Sequence, residues 1–139
     1  TRKYYAIVLN GFNTEDGVVD APIGRNPSDR KKMAIDKKNG KRAVTHYKVL
    51  EQFGKYSYIE CQLETGRTHQ IRVHMSSIGH PLLGDDVYGS GKSPFNLTGQ
   101  TLHAGVLGFI HPSTKEYVEY SAPLPEYFQK VLDKLRGNC

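Results

Sequence analysis

The chemistry of this chain is concentrated in nine residues, Gly66-Arg67-Thr68-His69-Gln70-Ile71-Arg72-Val73-His74. Two arginines and two histidines follow a glycine where a strand-like run gives way to a run with helical spacing. A joint of this kind offers guanidinium groups and free backbone N–H groups to an anion. A helix start with ordinary surface histidines would read the same way locally, so the joint alone decides nothing.

A second concentration is one of charge. Segment 24–42 holds Arg25, Arg30, Lys31, Lys32, Lys37, Lys38, Lys41 and Arg42 against Asp29 and Asp36 alone. Its net charge of +6 exceeds the +5 of the whole chain, leaving −1 elsewhere. A basic hairpin there could lie along a phosphate backbone, with Arg25, Lys31, Lys32, Lys41 and Arg42 as contacts. Lysines that keep an exposed strand soluble are the competing account.

Other chemistries fail on spacing. Gly89-Ser90-Gly91-Lys92-Ser93 ends like a phosphate-binding loop, but Asp86 stands where the first glycine belongs and no apolar strand leads in. His69, His74 and His80 lack an i, i+4 pair with a glutamate between them, so no metal is expected. Asn96-Leu97-Thr98 matches a glycosylation sequon with nothing else pointing to secretion. The two cysteines, Cys61 and Cys139, make neither a disulfide framework nor a zinc pattern, which suggests a reducing, cytoplasmic setting. Cys61 falls on an apolar strand face and reads as core filler.

The elements that must position these residues come from periodicity. At 139 residues the chain is one domain's worth, 37% hydrophobic and 24% charged, with no apolar run long enough to span a bilayer. Strands are predicted over 2–11, 17–23, 43–53, 55–64, 101–110 and 115–122. Alternation puts Thr45, Tyr47 and Val49 on one face, and Ile59, Cys61 and Leu63 on one face of the next strand. Ile71, Met75 and Ile78 follow helical spacing from a Thr68 cap to a stop at Gly79. Phe128, Val131, Leu132 and Leu135 form the stripe of a last helix. Segment 90–100, rich in Gly and Ser, reads as a mobile loop. The class is α+β, a mostly antiparallel mixed sheet with a central and a C-terminal helix, in one domain over 1–139.

Taken in order, the segments resemble the catalytic domain of the RluA/RluD-type pseudouridine synthases. The resemblance rests on Lys3-Tyr4-Tyr5-Ala6-Ile7-Val8, Ala21-Pro22-Ile23-Gly24-Arg25, Gly40-Lys41-Arg42-Ala43-Val44-Thr45-His46-Tyr47 and the joint itself. Gly79-His80-Pro81, Gly84-Asp85, Tyr88-Gly89, Leu102-His103-Ala104 and Phe109-Ile110-His111-Pro112 continue it. It implies a cofactor-free isomerisation of uridine to pseudouridine in structured RNA, ribosomal RNA foremost, with the base taken out of the stack.

The resemblance also implies roles. Tyr4 matches an active-site tyrosine that stacks on uracil and helps remove the C5 proton. Arg72 matches the arginine that pairs with the family's catalytic aspartate and keeps it ionised. Arg67 and His69 would touch RNA phosphate or order the loop. Ile71 and Leu102 would form an apolar wall, or serve as plain core. The aspartate itself belongs to a His-Arg-Leu-Asp…Thr-Ser-Gly segment upstream of the Lys-x-Tyr strand, and no such segment occurs here. With Thr1 in place of Met, the chain reads as the C-terminal part of a catalytic domain. Three expectations follow: Arg72 faces a half-empty site as an unpaired cation, residues 4–9 expose an open strand edge, and the chain alone is inactive. A non-catalytic RNA-binding module derived from such a domain is the alternative.

Overall fold

The computed structural model describes residues 2–90, 95, 97 and 99–137. The Gly91-Lys92-Ser93 end of the phosphate-loop look-alike, Asn96 and Thr98 of the sequon, much of the loop expected to be mobile, and Cys139 lie outside the described residues.

Strands β1 (Arg2–Leu9), β2 (Asp16–Asp20), β5 (Val44–Gln52), β6 (Tyr56–Leu63), β7 (Leu102–Ile110) and β8 (Tyr117–Ser121) form one sheet in the order β2-β5-β6-β1-β7-β8. Its pairings are antiparallel throughout. A small hairpin of β3 (Ile23–Arg25) and β4 (Met33–Ile35) stands apart from it. The helices are α1 (Gln70–Ser77) and α2 (Glu126–Leu135). The α+β class is as expected.

Alternation along β1 explains the layering. Ala6 and Val8 face one side, where they meet Ile59 and Cys61 of β6 and Ile71 and Met75 of α1. Ile7 faces the other side and packs with Tyr58, Phe128, Val131 and Leu132. Each face of the sheet is therefore closed by one amphipathic helix. Phe128 is fully buried, and truncating it to alanine would cost about 3–5 kcal/mol.

Three details differ from the sequence-based expectations. First, β1 is no open edge: Tyr4 pairs with Cys61 on one side and Ala104 on the other. Beyond that register Thr101 and Pro81 accept the N–H groups of Ile7 and Leu9. The outer strands are β2 and β8. Second, the run 17–23 is broken at Ala21-Pro22, since proline has no N–H to continue a ladder. Ile23 turns away to pair with Ile35. Third, α1 begins one residue after His69, not at a Thr68 cap, and no side chain caps it.

The hairpin expected in the basic segment exists, and its base is not loose. Ile23, Ala43 and Val73 form a small core with Met33, Ile35 and Tyr88 packed against it. The charged turn is thus carried on an apolar root seated on α1.

Candidate active site

The start of α1 is organised by Gln70. Its side-chain oxygen accepts the N–H of Arg67 at 3.0 Å and the hydroxyl of Thr65 at 2.7 Å. Its amide nitrogen donates to Val44 O and to Thr45 Oγ1, both at 2.9 Å. No side chain caps the helix in the manner expected of Thr68, and His69 at the cap position has φ 55° and ψ 26°. That left-handed conformation is uncommon outside glycine, and here it directs the imidazole to the Tyr88 hydroxyl at 2.7 Å. Burial, helped by the Arg72 charge, holds the His69 pKa below its ordinary value.

Gln70 also opens a buried chain of polar groups. Thr45 Oγ1 lies 2.8 Å from His74 Nδ1, and His74 Nε2 donates to Ala21 O at 2.9 Å. Because the carbonyl can only accept, the proton of neutral His74 is on Nε2 and Nδ1 accepts from Thr45. Burial lowers the His74 pKa, only partly offset by the Ala21 carbonyl. The joint, β5 and the connection to the basic hairpin are tied together by this chain. His80 is likewise structural: Nδ1 donates to Leu9 O at 2.9 Å and the ring stacks on Phe12.

Arg72 is not an unpaired cation. Asp85 binds it in a two-point fork, Nε to Oδ2 at 2.8 Å and Nη2 to Oδ1 at 3.0 Å. The Asp85 side chain is fully buried and that of Arg72 is 11% exposed. Burial alone would push the Asp85 carboxyl up, but hydrogen bonds from Arg72 and from the N–H groups of Tyr88 and Val87 hold it below the usual carboxylate range. Its bond to Asp85 in turn raises the Arg72 pKa. Gly84, at φ +85°, supplies the turn that delivers Asp85, and a side chain there would run into the Gly99 carbonyl. Under the guanidinium lies the Tyr88 ring, 5.0 Å from centroid to Cζ.

A cavity of about 390 Å³ opens where these elements meet. Its lining includes Tyr4 from β1, Leu102 from β7, Ile71 and Arg72 from α1, and Arg67 and His69 from the joint. Leu102 pairs with Ala6, two residues along from Tyr4, so both side chains emerge on the same face. Tyr5 points the other way and packs on Tyr58. Tyr4, Ile71, Arg72 and Leu102, expected at the base, thus share one cavity with Arg67 and His69, expected to touch RNA phosphate or order the loop.

The basic residues of the hairpin divide. Arg25 and Lys41 line a neighbouring cavity with Arg67. Arg42 is paired with Glu64 at 3.2 Å, and its carbonyl accepts Arg67 Nε at 2.7 Å. Glu64 also binds His46, and these two bonds lower its pKa. Lys31 and Lys32 lie in the hairpin turn and line neither cavity. Sequence reasoning places Asp85 and Tyr88 within motifs but assigns them no role, and it misses Gln70. Their positions after a turn glycine and at the helix start were the only local signals. Cys61 is core, as expected, its thiol pushed up to about 12 by burial. Among the described residues no group of three His, Cys, Asp or Glu is placed to hold a metal ion, and no helix is long and apolar enough to cross a membrane.

The sheet, the two helices and this cavity define a class. Residues 1–77 match the RNA pseudouridylate synthase family, and the chain belongs to that family. It is 56% identical over 138 residues to the uncharacterized RNA pseudouridine synthase YlyB of Bacillus subtilis, covering 99% of this chain and 45% of that protein. It is 48% identical to ribosomal large subunit pseudouridine synthase D of Neisseria meningitidis, covering 97% of this chain and 39% of that protein. Human RNA pseudouridylate synthase domain containing 1 superposes with a TM-score of 0.76 at 29% identity, over 99% of this chain and 66% of that one. The chain spans less than half the length of these two curated relatives.

Proposed function

We propose that the protein carrying this chain isomerises uridine to pseudouridine in structured RNA, ribosomal RNA foremost, and that the chain supplies one side of the base site. The observation that carries this reading is the convergence of Tyr4, Ile71, Arg72 and Leu102 on one cavity of about 390 Å³.

The chemistry asks for a nucleophilic carboxylate that stays ionised inside a site from which water is excluded. A guanidinium at contact distance favours the ionised form. Asp85 occupies two of the five guanidinium donors of Arg72, which leaves three N–H groups for a second carboxylate. That carboxylate is the aspartate the resemblance places upstream. Asp85 is then a positioning residue, fixing the plane of the Arg72 fork. Tyr4 stacks on the uracil, and its hydroxyl assists removal of the C5 proton after the base is rejoined through C5. Ile71 and Leu102 keep water from the detached base.

Affinity comes from the basic hairpin through phosphate contacts, which position RNA without reading its bases. No cofactor is required, and the cytoplasmic setting belongs to this same proposal. The test is tritium release from large-subunit ribosomal RNA labelled at uridine C5, using the full-length gene product. Release in step with pseudouridine formation is expected. No release from ribosomal or any other structured RNA would refute the assignment.

A further inference from the structure

Beside the base cavity lies a second one of about 470 Å³, between the β3-β4 hairpin and the joint. Gly66 and Arg67 line both, so the two are contiguous across a single stretch of backbone. The second cavity differs in chemistry. Arg25, Lys41 and Arg67 line it, and no acidic residue does. Among the described residues, none of these three cations forms an ion pair. Arg42 and Arg72, their neighbours in sequence, are both paired. Two of the three are held in place by backbone carbonyls: Arg25 Nη1 by Arg30 O at 2.9 Å and Arg67 Nε by Arg42 O at 2.7 Å. Each bond orients a guanidinium while leaving its remaining donors and its full charge available. Ile23 and Met33 add an apolar patch to the lining.

We infer that this cavity binds the phosphodiester group next to the target uridine, with its sugar against Ile23 and Met33. The inference rests on the proposed function and adds to it a second subsite. A nucleotide turned into the base cavity must be continuous with a backbone that passes over Gly66 and Arg67. Three cations with no anionic partner, two of them preset by backbone carbonyls, meet it there. Charge-assisted bonds of guanidinium to phosphate are among the stronger polar contacts. Since the contacts reach phosphate and sugar, the base of the neighbouring nucleotide is not read at this place. Arg67 is the hinge of the arrangement, because it faces both the base and the phosphate.

The test uses binding, so that it reads separately from turnover. The full-length gene product is titrated with the single-stranded RNA AAUAA, whose lone uridine sets the register. The same RNA is also prepared with each linkage in turn neutralised as a methylphosphonate. The variant is Arg25→Ala with Lys41→Ala, two exposed positions whose replacement leaves the core untouched. Binding by the variant is expected to be weaker by about tenfold or more. Its salt slope should be shallower by about 0.7 for each phosphate that is no longer neutralised. Neutralising one linkage beside the uridine should weaken the wild type comparably and the variant by less than about twofold. The lysine and arginine exchange, Arg25→Lys with Lys41→Arg, should restore most of the affinity. Wild-type affinity in the alanine variant would overturn the inference. So would losses that multiply at both linkages beside the uridine. Tritium release by the wild type tests the isomerase reading separately: its absence, with the binding pattern intact, would remove the enzyme and leave the phosphate site.

Discussion

Tyr88 joins the basic hairpin to Arg72: its phenol oxygen accepts the N–H of Met33 at 2.9 Å while its ring lies beneath the guanidinium. The same oxygen is 2.7 Å from His69 Nδ1, and Ser76 Oγ donates to the Tyr88 carbonyl at 2.7 Å. A force on the hairpin therefore reaches the Arg72 fork through one side chain. Tyr88→Phe keeps the ring and removes both phenol bonds. It should cost about 1 kcal/mol in stability and speed hydrogen exchange at the Met33 amide. Unchanged protection at Met33 would show that the hairpin is held by its apolar root alone.

Asp85→Asn leaves Arg72 mostly buried with no charge partner. Removing one member of a buried pair costs about 3–5 kcal/mol, and the residual 11% exposure of Arg72 places the expected loss near the lower figure. Urea unfolding measures it. A loss under about 1 kcal/mol would mean that solvent reaches the guanidinium and that Asp85 is dispensable for orienting it.

Arg72→Met separates catalysis from binding. In the full-length protein we expect turnover to fall by about a hundredfold or more, the scale seen when one charge-stabilising donor is removed from an active site. Affinity for RNA, which we propose comes from the hairpin, should stay within about threefold. Near-normal tritium release by this variant would remove Arg72 from the mechanism. The 139-residue chain on its own is expected to release none.

Mild acid should destabilise the fold through two histidines. His74 and His69 both have folded pKa values below the ordinary histidine value, chiefly through burial. The unfolded chain therefore binds more protons, and stability rises with pH in this range. The contribution is fully present above about pH 6.5 and is lost as pH falls through the lower folded values. The melting temperature should fall as pH drops below about 6.5, and the drop should shrink in His74→Gln. An equal drop in that variant would assign the effect elsewhere. Asp85, held low by Arg72, adds its own loss only below the ordinary carboxylate range.

Much of this could be read from local pattern. Alternation placed Tyr4 and Tyr5 on opposite faces and put Ile59 and Cys61 inward. Helical spacing found Ile71 and Met75, and charge counting found the hairpin. What escaped the sequence was set by contacts between distant segments. Nothing near Asp85 marks it as the partner of Arg72, thirteen residues earlier, because only the packing of the 79–89 loop on α1 brings the two together. Met33 and Tyr88, fifty-five residues apart, meet for the same reason. The Thr68 cap failed because the helix starts one residue later, with His69 in the left-handed conformation at the cap position. The open edge at residues 4–9 failed because its second partner, β7, lies about a hundred residues downstream, beyond any local signal.

The placement of β1 carries a consequence for how the site comes into being. Lys3 pairs with Gln62 and with Val106, so the earliest of the six strands to be synthesised holds the middle of the sheet and waits longest for its second neighbour. Pairings of such sequence separation slow folding, since a long loop must close before any contact rewards it. Tyr4 and Leu102 face the same cavity from β1 and β7. A nascent chain released before residue 102 would hold the arginine fork and the tyrosine but no wall opposite them. The cavity shared by Tyr4 and Leu102 is therefore among the last features to form, completed by the strand that also closes the sheet.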